Sequence, residues 1–585
     1  MRKVFAYLAR YKWRMALGLF IKAVGTVAEL FLPMIMAYMI DEVAPQKDIV
    51  MLAVWGAVML VCAVIALFGN ITANRMASKV ARDTTERIRR DLFVKTLALS
   101  ARQSDRFTVP SLVSRLSSDT YNVHNMIGMM QRLGIRAPIL VVGGVALTFV
   151  VEPVLALVLL AVVPFLAVVV IIVSMRGIVL YTDLQRAVDG MVRKLRDDYT
   201  GIRVIKALSR TDYESRSFAA INDKLVRCET KAGVTMGVTN PILNLLLNLG
   251  MTAVILVGAY RVSSGDALVG SIIAFTSYFT IILNAVIMVS RIFVNFSKGS
   301  ASAGRIAEVL DSPEDLLPLP DAQKAADSGE MIRFDHVSFG YGLGVPIVKD
   351  ITFSVKKGES LGIIGATGSG KSTLVSLMLR FYDAEEGQVF IDGKDVRGYD
   401  DTALREKFGV VLQNDFLMAA SVRENIDFER SLDDNAIRSA ATFARADSFI
   451  EALEEGYESG LTARGANFSG GQKQRLLIAR ALAGRPDILL LDDSSSALDY
   501  KTDAELRSAI LKHFPDTTIV MIAQRISSVR FADKILVLDN GEIVGFGPDK
   551  ELMQTCEVYR RIYRSQHGDG EVSNERREAG NESEG

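Results

Sequence analysis

The segment Gly365-Ala366-Thr367-Gly368-Ser369-Gly370-Lys371-Ser372-Thr373 has the spacing G-x-x-x-x-G-K-[ST], which builds a cradle for phosphate groups. Glycines at 365, 368 and 370 let successive backbone N–H groups curl around phosphate oxygens. The helix expected over Leu374–Arg380 adds its positive N-terminal end. Lys371 offers a point charge to the outer phosphates, and Ser372 offers a hydroxyl to Mg²⁺. The apolar run Leu361–Ile364 supplies the strand that must precede such a loop. A second apolar run, Ile488–Leu491, ends in Asp492, a carboxylate suited to complete the metal's outer coordination. Asp493 follows directly, and Gln524 lies further on in Ile522-Ala523-Gln524-Arg525.

These groups need a folded α/β domain to hold them, and the chain has room for more than one. At 585 residues two or three folding units are expected. Half of the residues are hydrophobic and 23% are charged, with most of the apolar ones before residue 300. Six stretches reach bilayer-spanning length of about 20 residues, at about 16–40, 50–73, 134–151, 154–175, 241–260 and 271–296. The connections Asp41–Ile49, Glu152-Pro153 and Arg261–Gly270 are short and carry only Lys47 and Arg261 as cations. The connections Asn74–Leu133 and Arg176–Asn240 are long and rich in Lys and Arg. Arg75, Lys79, Arg82, Arg136 and Arg176 sit close to span ends, which places both long connections and both termini in the cytoplasm. The expected location is a cell membrane, crossed several times.

Within the long connections, Val80–Ser100 and Leu184–Lys206 mix charged and apolar residues at helical spacing, so the spans are expected to continue into the cytoplasm. The chain is then expected to turn near Ser104–Pro110 and Ser209–Tyr213. Met1–Arg14 is basic and aromatic and runs into the first span without a small-residue cleavage site. It reads as an interfacial helix rather than a removable signal. Lys22 and Glu29 lie two helical turns apart inside the first span. Ionisable residues there face a bundle interior or a wet cavity, which makes them candidates for a substrate path, with a structural pairing as the alternative. Asn244, Asn248 and Asn284 could line a cavity or join helices by hydrogen bonds, with the structural role favoured slightly.

The transmembrane part is expected to end at residue 310. Three prolines in Ser312–Pro320 mark a linker over 311–330, a second domain covers 331–567, and a polar tail occupies 568–585. A formal net charge of zero gives no basic surface for nucleic acid. Cys62, Cys228 and Cys556 are scattered and read as reduced thiols. His124, His336, His513 and His567 lie far apart, which argues against a histidine metal site.

Taken together, the phosphate loop, Phe468-Ser469-Gly470-Gly471-Gln472 and the strand ending in Asp492 resemble the ATP-binding-cassette (ABC) family. The resemblance extends over about residues 1–567 and is to exporter-type half-transporters. It implies a multidomain membrane protein, with a six-helix transmembrane bundle bearing long cytoplasmic extensions followed by an α/β P-loop ATPase domain. It implies ATP and Mg²⁺ as ligands. Tyr341 matches the aromatic that stacks on adenine, and Gln413 the glutamine that reaches Mg²⁺. Phe468–Gln472 matches the signature that binds ATP held by the other subunit. Ser496-Ala497-Leu498-Asp499 matches the loop passing between the two sites. Asp105-Arg106-Phe107 with Ser111–Asp119 resembles the first coupling helix, and Gly201–Lys206 the approach to the second.

Four positions depart from the family pattern. A glutamate usually follows the strand aspartate and a histidine stands further on; here these are Asp493 and Gln524. Ser494 stands where proline is usual, and Ala463 where exporters often have glutamate. A weakened catalytic pair beside an intact signature implies a second, non-identical half-transporter as partner. The expected activity is ATP-driven export of a small, amphipathic molecule. A homodimeric slow exporter, an ATP-gated regulator or channel component, and an importer on the same fold are the other readings.

Overall fold

Asp48 sits in extended backbone and its carboxylate accepts the N–H groups of Val50 and Met51 at 2.9 and 3.1 Å. That N-cap satisfies orphan donors and starts the helix Ile49–Leu97. At 49 residues the helix is about 74 Å long by its 1.5 Å rise, more than twice a hydrocarbon core of about 30 Å. In this computed structural model residues 1–319, 329–342, 344–413, 415–494 and 497–567 are described. Two units result: Met1–Ala98 with Phe107–Ser312, and Leu99–Arg106 with the chain from Pro313 onward. The expected division at residue 310 thus falls at 312, and one short segment of the first long connection belongs to the second unit.

The first unit is helical throughout. Lys12–Tyr38 packs on Ile49–Leu97, followed by Thr120–Leu133, Arg136–Val151, Pro153–Thr200, Thr211–Gly237, Thr239–Ser263 and Val269–Leu310. Among the described residues five helical stretches are long and apolar enough to cross a membrane. The apolar run Pro153–Val162 opens a further helix of 48 residues. Large apolar side chains such as Leu60, Phe68 and Val142 point outward from these helices, as a lipid-facing surface requires. Pro33 and Pro164 are accommodated inside helices. The stretch Gly201–Lys206 is largely the short helix Ile202–Ala207, and the chain turns after it at 208–210, where Ser209 has φ +54°, before the helix Thr211–Gly237 begins.

Lys22 and Glu29 do not pair with each other. Lys22 is 2% exposed and donates to Asn70 Oδ1 at 2.7 Å and Asn74 Oδ1 at 3.1 Å on the neighbouring helix. Glu29 accepts from Arg136 at 2.9 and 3.0 Å. Both side chains therefore hold helices together in this structure. Asn248 and Asn284 donate to the carbonyls of Asn244 and Thr280 within their own helices. Outside the spans, buried Asp119 accepts from Ser302 at 2.8 Å and is paired with Arg305, joining Arg115–Asp119 to the last long helix.

The second unit builds two sheets. Strands β1 Glu330–Phe339, β2 Val348–Lys356, β4 Glu386–Ile391 and β5 Lys394–Asp395 pair antiparallel in the order β2-β1-β4-β5. Strands β3 Ser360–Gly365, β6 Phe408–Val411, β7 Ile488–Asp492, β8 Thr518–Ile522, β9 Lys534–Asp539 and β10 Glu542–Gly547 form the order β10-β9-β3-β8-β7-β6, parallel except for β10. Every residue of β3 and β7 is buried, as expected for parallel strands covered on both faces. Their carboxyl ends lie side by side through β8, and that edge is where ligands bind in open α/β sheets.

The helices Lys12–Tyr38 and Ile49–Leu97 touch through glycine: a side chain at Gly69 would lie 3.2 Å from Gly25 Cα and 3.3 Å from Ile21 O. Gly69→Val is expected to destabilise the protein by about 1–3 kcal/mol through overpacking, read as a lower midpoint in a thermal unfolding scan of the purified protein in lipid.

Candidate nucleotide site

The loop leaves β3 at Gly365, where an added Cβ would lie 2.3 Å from Leu538 O, so only glycine lets the chain exit there. At Gly370 φ is +103°, and a Cβ would meet Val348 Cγ1 at 2.7 Å. That residue is the N-cap of the helix Lys371–Met378, whose first turn presents its N–H groups to the loop. Lys371 Nζ donates to the carbonyls of Gly365 and Ala366 at 2.9 and 2.8 Å, which curls the ammonium over the concave side. Ser369 Oγ is buried with no hydrogen-bond partner among the described residues.

A cavity of about 280 Å³ lies here, lined by Thr367, Gly368, Gly370, Lys371, Ser372 and Thr373. Its lining also includes Gln413, Asp492, Asp493 and Gln524, with Ile347, Ile522 and Ala523. Thus four residues distant in sequence meet the phosphate loop, because β3, β8, β7 and β6 are successive neighbours in the sheet. Ser372 Oγ donates to Asp492 Oδ2 at 3.2 Å. A hydroxyl, a carboxylate and the Gln413 amide form an oxygen-donor set suited to a hard divalent cation.

The electrostatics follow from burial. Desolvation pushes the Lys371 ammonium below the ordinary lysine value, opposed by Asp492 and Asp493. The same effect raises the Asp492 carboxyl, opposed by Ser372 and Lys371. Asp493 is also raised by desolvation, with Arg525 and Lys371 acting against it. Ionised Asp492 and Asp493 therefore disfavour the fold, and that penalty is relieved as pH falls through their raised values. A triphosphate with a divalent cation matches the site on several counts: N–H groups, an inward cation and a Mg²⁺-type oxygen set.

Asp493 has φ +50°, in the left-handed region that Asp tolerates better than most residues. Its N–H donates to Ile522 O at 2.9 Å, which pins the turn at the strand end. Arg525 lies 5.7 Å over the Tyr500 ring. Tyr341 does not line the phosphate cavity. It is half exposed, edge-on to Phe339 and Tyr382 at 5.0 Å, with its hydroxyl 3.5 Å from Thr373 Oγ1.

The segment Phe468–Gln472 forms a separate structure. Phe468 is buried against Phe449 at 6.2 Å. Ser469 caps the helix Gly470–Ala483 in a capping box: its hydroxyl accepts Gln472 N–H at 3.3 Å, and Gln472 Oε1 accepts Ser469 N–H at 2.9 Å. A side chain at Gly471 would come within 3.2 Å of Ala497 O and 3.7 Å of Leu498. Asp499 caps the helix Tyr500–His513 by accepting from Thr502. Ser496 lies outside the described residues. Among the described residues none of Phe468–Gln472 lines the 280 Å³ cavity.

Two contributors were not read from the sequence. Gln566, on the helix Glu557–His567, bonds to Gln524 O and Ile526 N. Tyr382 donates to Asp105 Oδ2 at 2.5 Å, so the segment Leu99–Arg106 is tied into the second unit. Neither belongs to a spaced motif, and both act through pairings between residues remote in sequence.

The fold and cavity define a P-loop nucleotide-binding domain attached to a helical membrane unit. Residues 15–286 match the family model described as ABC transporter transmembrane region, and residues 348–496 match that described as ABC transporter. An uncharacterized ABC transporter ATP-binding protein of Mycobacterium tuberculosis is 34% identical over 567 residues, covering 96% of this chain and 97% of the relative. The uncharacterized ABC transporter ATP-binding protein YfiB of Bacillus subtilis is 34% identical over 575 residues, covering 97% of this chain and 99% of the relative. A solved bacterial Atm1-family ABC exporter with ATP bound shares the fold, with a TM-score of 0.80 at 23% identity, over 96% of this chain and 99% of that one. The chain belongs to the ABC transporter family, as a membrane protein carrying its own ATP-binding domain.

Gly370→Val combines a forbidden φ with a clash at Val348, so it should raise the dissociation constant for Mg-ATP at least about tenfold, or about 1.4 kcal/mol. Equilibrium binding of a fluorescent ATP analogue by the purified chain checks this.

Proposed function

We propose that this chain is one half of a heterodimeric ABC exporter, and that its own ATP site holds nucleotide while turning it over slowly. The observation that carries the reading is the pair Asp493 and Gln524 on the wall of the phosphate cavity, with Lys371 and Ser372. The binding parts are those the chemistry asks for, whereas the two groups expected to trigger hydrolysis are altered. Asp493 keeps a carboxylate but is a methylene shorter than glutamate, and a displacement near 1 Å can cost roughly 10²-fold in rate. Gln524 can donate a hydrogen bond to an outer phosphate oxygen, yet it cannot take up a proton as histidine does.

ATP would be held by Gly365–Thr373, with adenine against Tyr341 and Mg²⁺ between Ser372, Gln413 and Asp492. Bound ATP supplies a γ-phosphoryl group whose presence or loss the surrounding loops can register. Phe468–Gln472 would face nucleotide on a second, non-identical half-transporter. Its separation from this chain's own cavity and its intact capping box support that assignment. The partner's site would then perform most of the hydrolysis. The membrane unit would sit in the cell membrane with both termini and the ATP-binding domain cytoplasmic, and would move a small amphipathic molecule outward. Segment Leu99–Arg106, bound through Tyr382, is the candidate coupling element.

Purified alone in lipid, the full chain is expected to bind Mg-ATP and to hydrolyse it at less than about 1 per second. Steady-state phosphate release measures this. A turnover in the ordinary enzyme range of about 1–10³ per second would overturn the assignment of a slow site.

A further inference from the structure

We infer that Gln566 is the positioning residue for the Gln524 loop, and that through it the C-terminal helix sets how well this site distinguishes ATP from ADP. The inference rests on the reading that Gln524 meets the outer phosphate. The backbone past β8 gives the starting point. Ala523 N–H still bonds to Ile363 O at 3.2 Å, and there the chain leaves the sheet. The next free ladder groups are Gln524 C=O and Ile526 N–H. Both are taken by one side chain: Gln566 Nε2 donates to Gln524 O at 2.7 Å, and Gln566 Oε1 accepts from Ile526 N at 2.9 Å.

A carbonyl at one residue and an N–H two residues on is the pattern that a neighbouring strand would satisfy. A carboxamide carries a donor and an acceptor side by side, so it can replace that strand. The loop is thereby pinned on one side by β3 and on the other by Gln566, which holds Gln524 at the cavity wall. The helix bearing Gln566 is itself anchored. Tyr559 and Tyr563 are buried in one apolar cluster with Ala523, Ile526 and Val529, and that cluster includes Ile364 just before the phosphate loop. A small shift of this helix would therefore reach Gln524 directly. Both of these Gln566 hydrogen bonds go to backbone groups, so its part is positional and its loss should change the outer-phosphate contact alone.

The test uses the full chain in lipid nanodiscs and measures binding of a slowly hydrolysed ATP analogue and of ADP, each with Mg²⁺. Gln566→Ala is expected to weaken analogue binding roughly three- to tenfold, the range of one lost hydrogen bond, while ADP binding stays within about twofold. Gln524→Ala should give the same selective loss, and the double variant should be no weaker than the worse single, since both remove one contact. Gln566→Glu keeps the acceptor for Ile526 N–H but loses the donor, so it should reproduce the selective loss and serves where the alanine variant does not fold. An equal loss for both nucleotides, or additive losses in the double variant, would overturn the inference. Selective loss in Gln524→Ala but none in either Gln566 variant would sink the inference and leave the proposed site intact. No selective loss in Gln524→Ala would sink both.

Discussion

The meeting of half-buried Lys371 and Asp493 with buried Asp492 is the constraint on which the rest of the ATP-binding unit depends. One cation and two carboxylates are drawn out of water at the ends of parallel strands, and each is pushed toward its neutral form by desolvation. The fold tolerates this because Lys371 also has two carbonyl partners and Asp492 a hydroxyl partner. Under the proposed function, a polyanion would supply counter-charge to Lys371 and a divalent cation would supply it to the two carboxylates. The sheet order, the glycine exits and the buried apolar strands can all be understood as the means of holding these three groups within reach of one another.

The membrane unit answers a different constraint. Its helices satisfy their own backbone groups, as hydrocarbon requires, and polar side chains tie them together at a few places. Lys22 with Asn70 and Asn74, and Glu29 with Arg136, are of this kind. Asp41 accepts from Gly270 and Ser271 N–H at 2.6 and 3.1 Å, capping the last long helix from the helical turn Met39–Val43 that ends the first. Glu152 accepts from Arg261 at 3.1 Å and links two further short connections. These ties join helices that a hydropathy pattern alone leaves independent.

Much of this was legible in the sequence, for identifiable reasons. The phosphate loop is read from glycine spacing, the strands around it from short apolar runs, and the long helices from length and charge distribution. Asp492, Asp493, Gln413 and Gln524 could be placed near the loop because resemblance to a family supplied the pairing that sequence distance hides. What the sequence did not expose depends on tertiary partners. The helical face shared by Lys22 and Glu29 is real, but their partners lie on two other helices. The resemblance marked Asp105-Arg106-Phe107 as a coupling helix, but the partner that ties Leu99–Arg106 into the second unit, Tyr382 on Asp105, has no local signature. Gln566 sits in a polar C-terminal stretch that looks like solvated helix until its amide is seen on the Gln524 loop.

The central claim is that this chain's site retains ATP while a partner's site turns over. The direct measurement is photolabelling of the assembled transporter during transport with an azido-ATP carrying its label on either the α- or the γ-phosphate, followed by separation of the two chains. Retained γ-label on this chain, comparable to its α-label, is the result the account predicts. Abundant α-label with the γ-label lost would mean that this site hydrolyses ATP as readily as its partner, and would contradict the account.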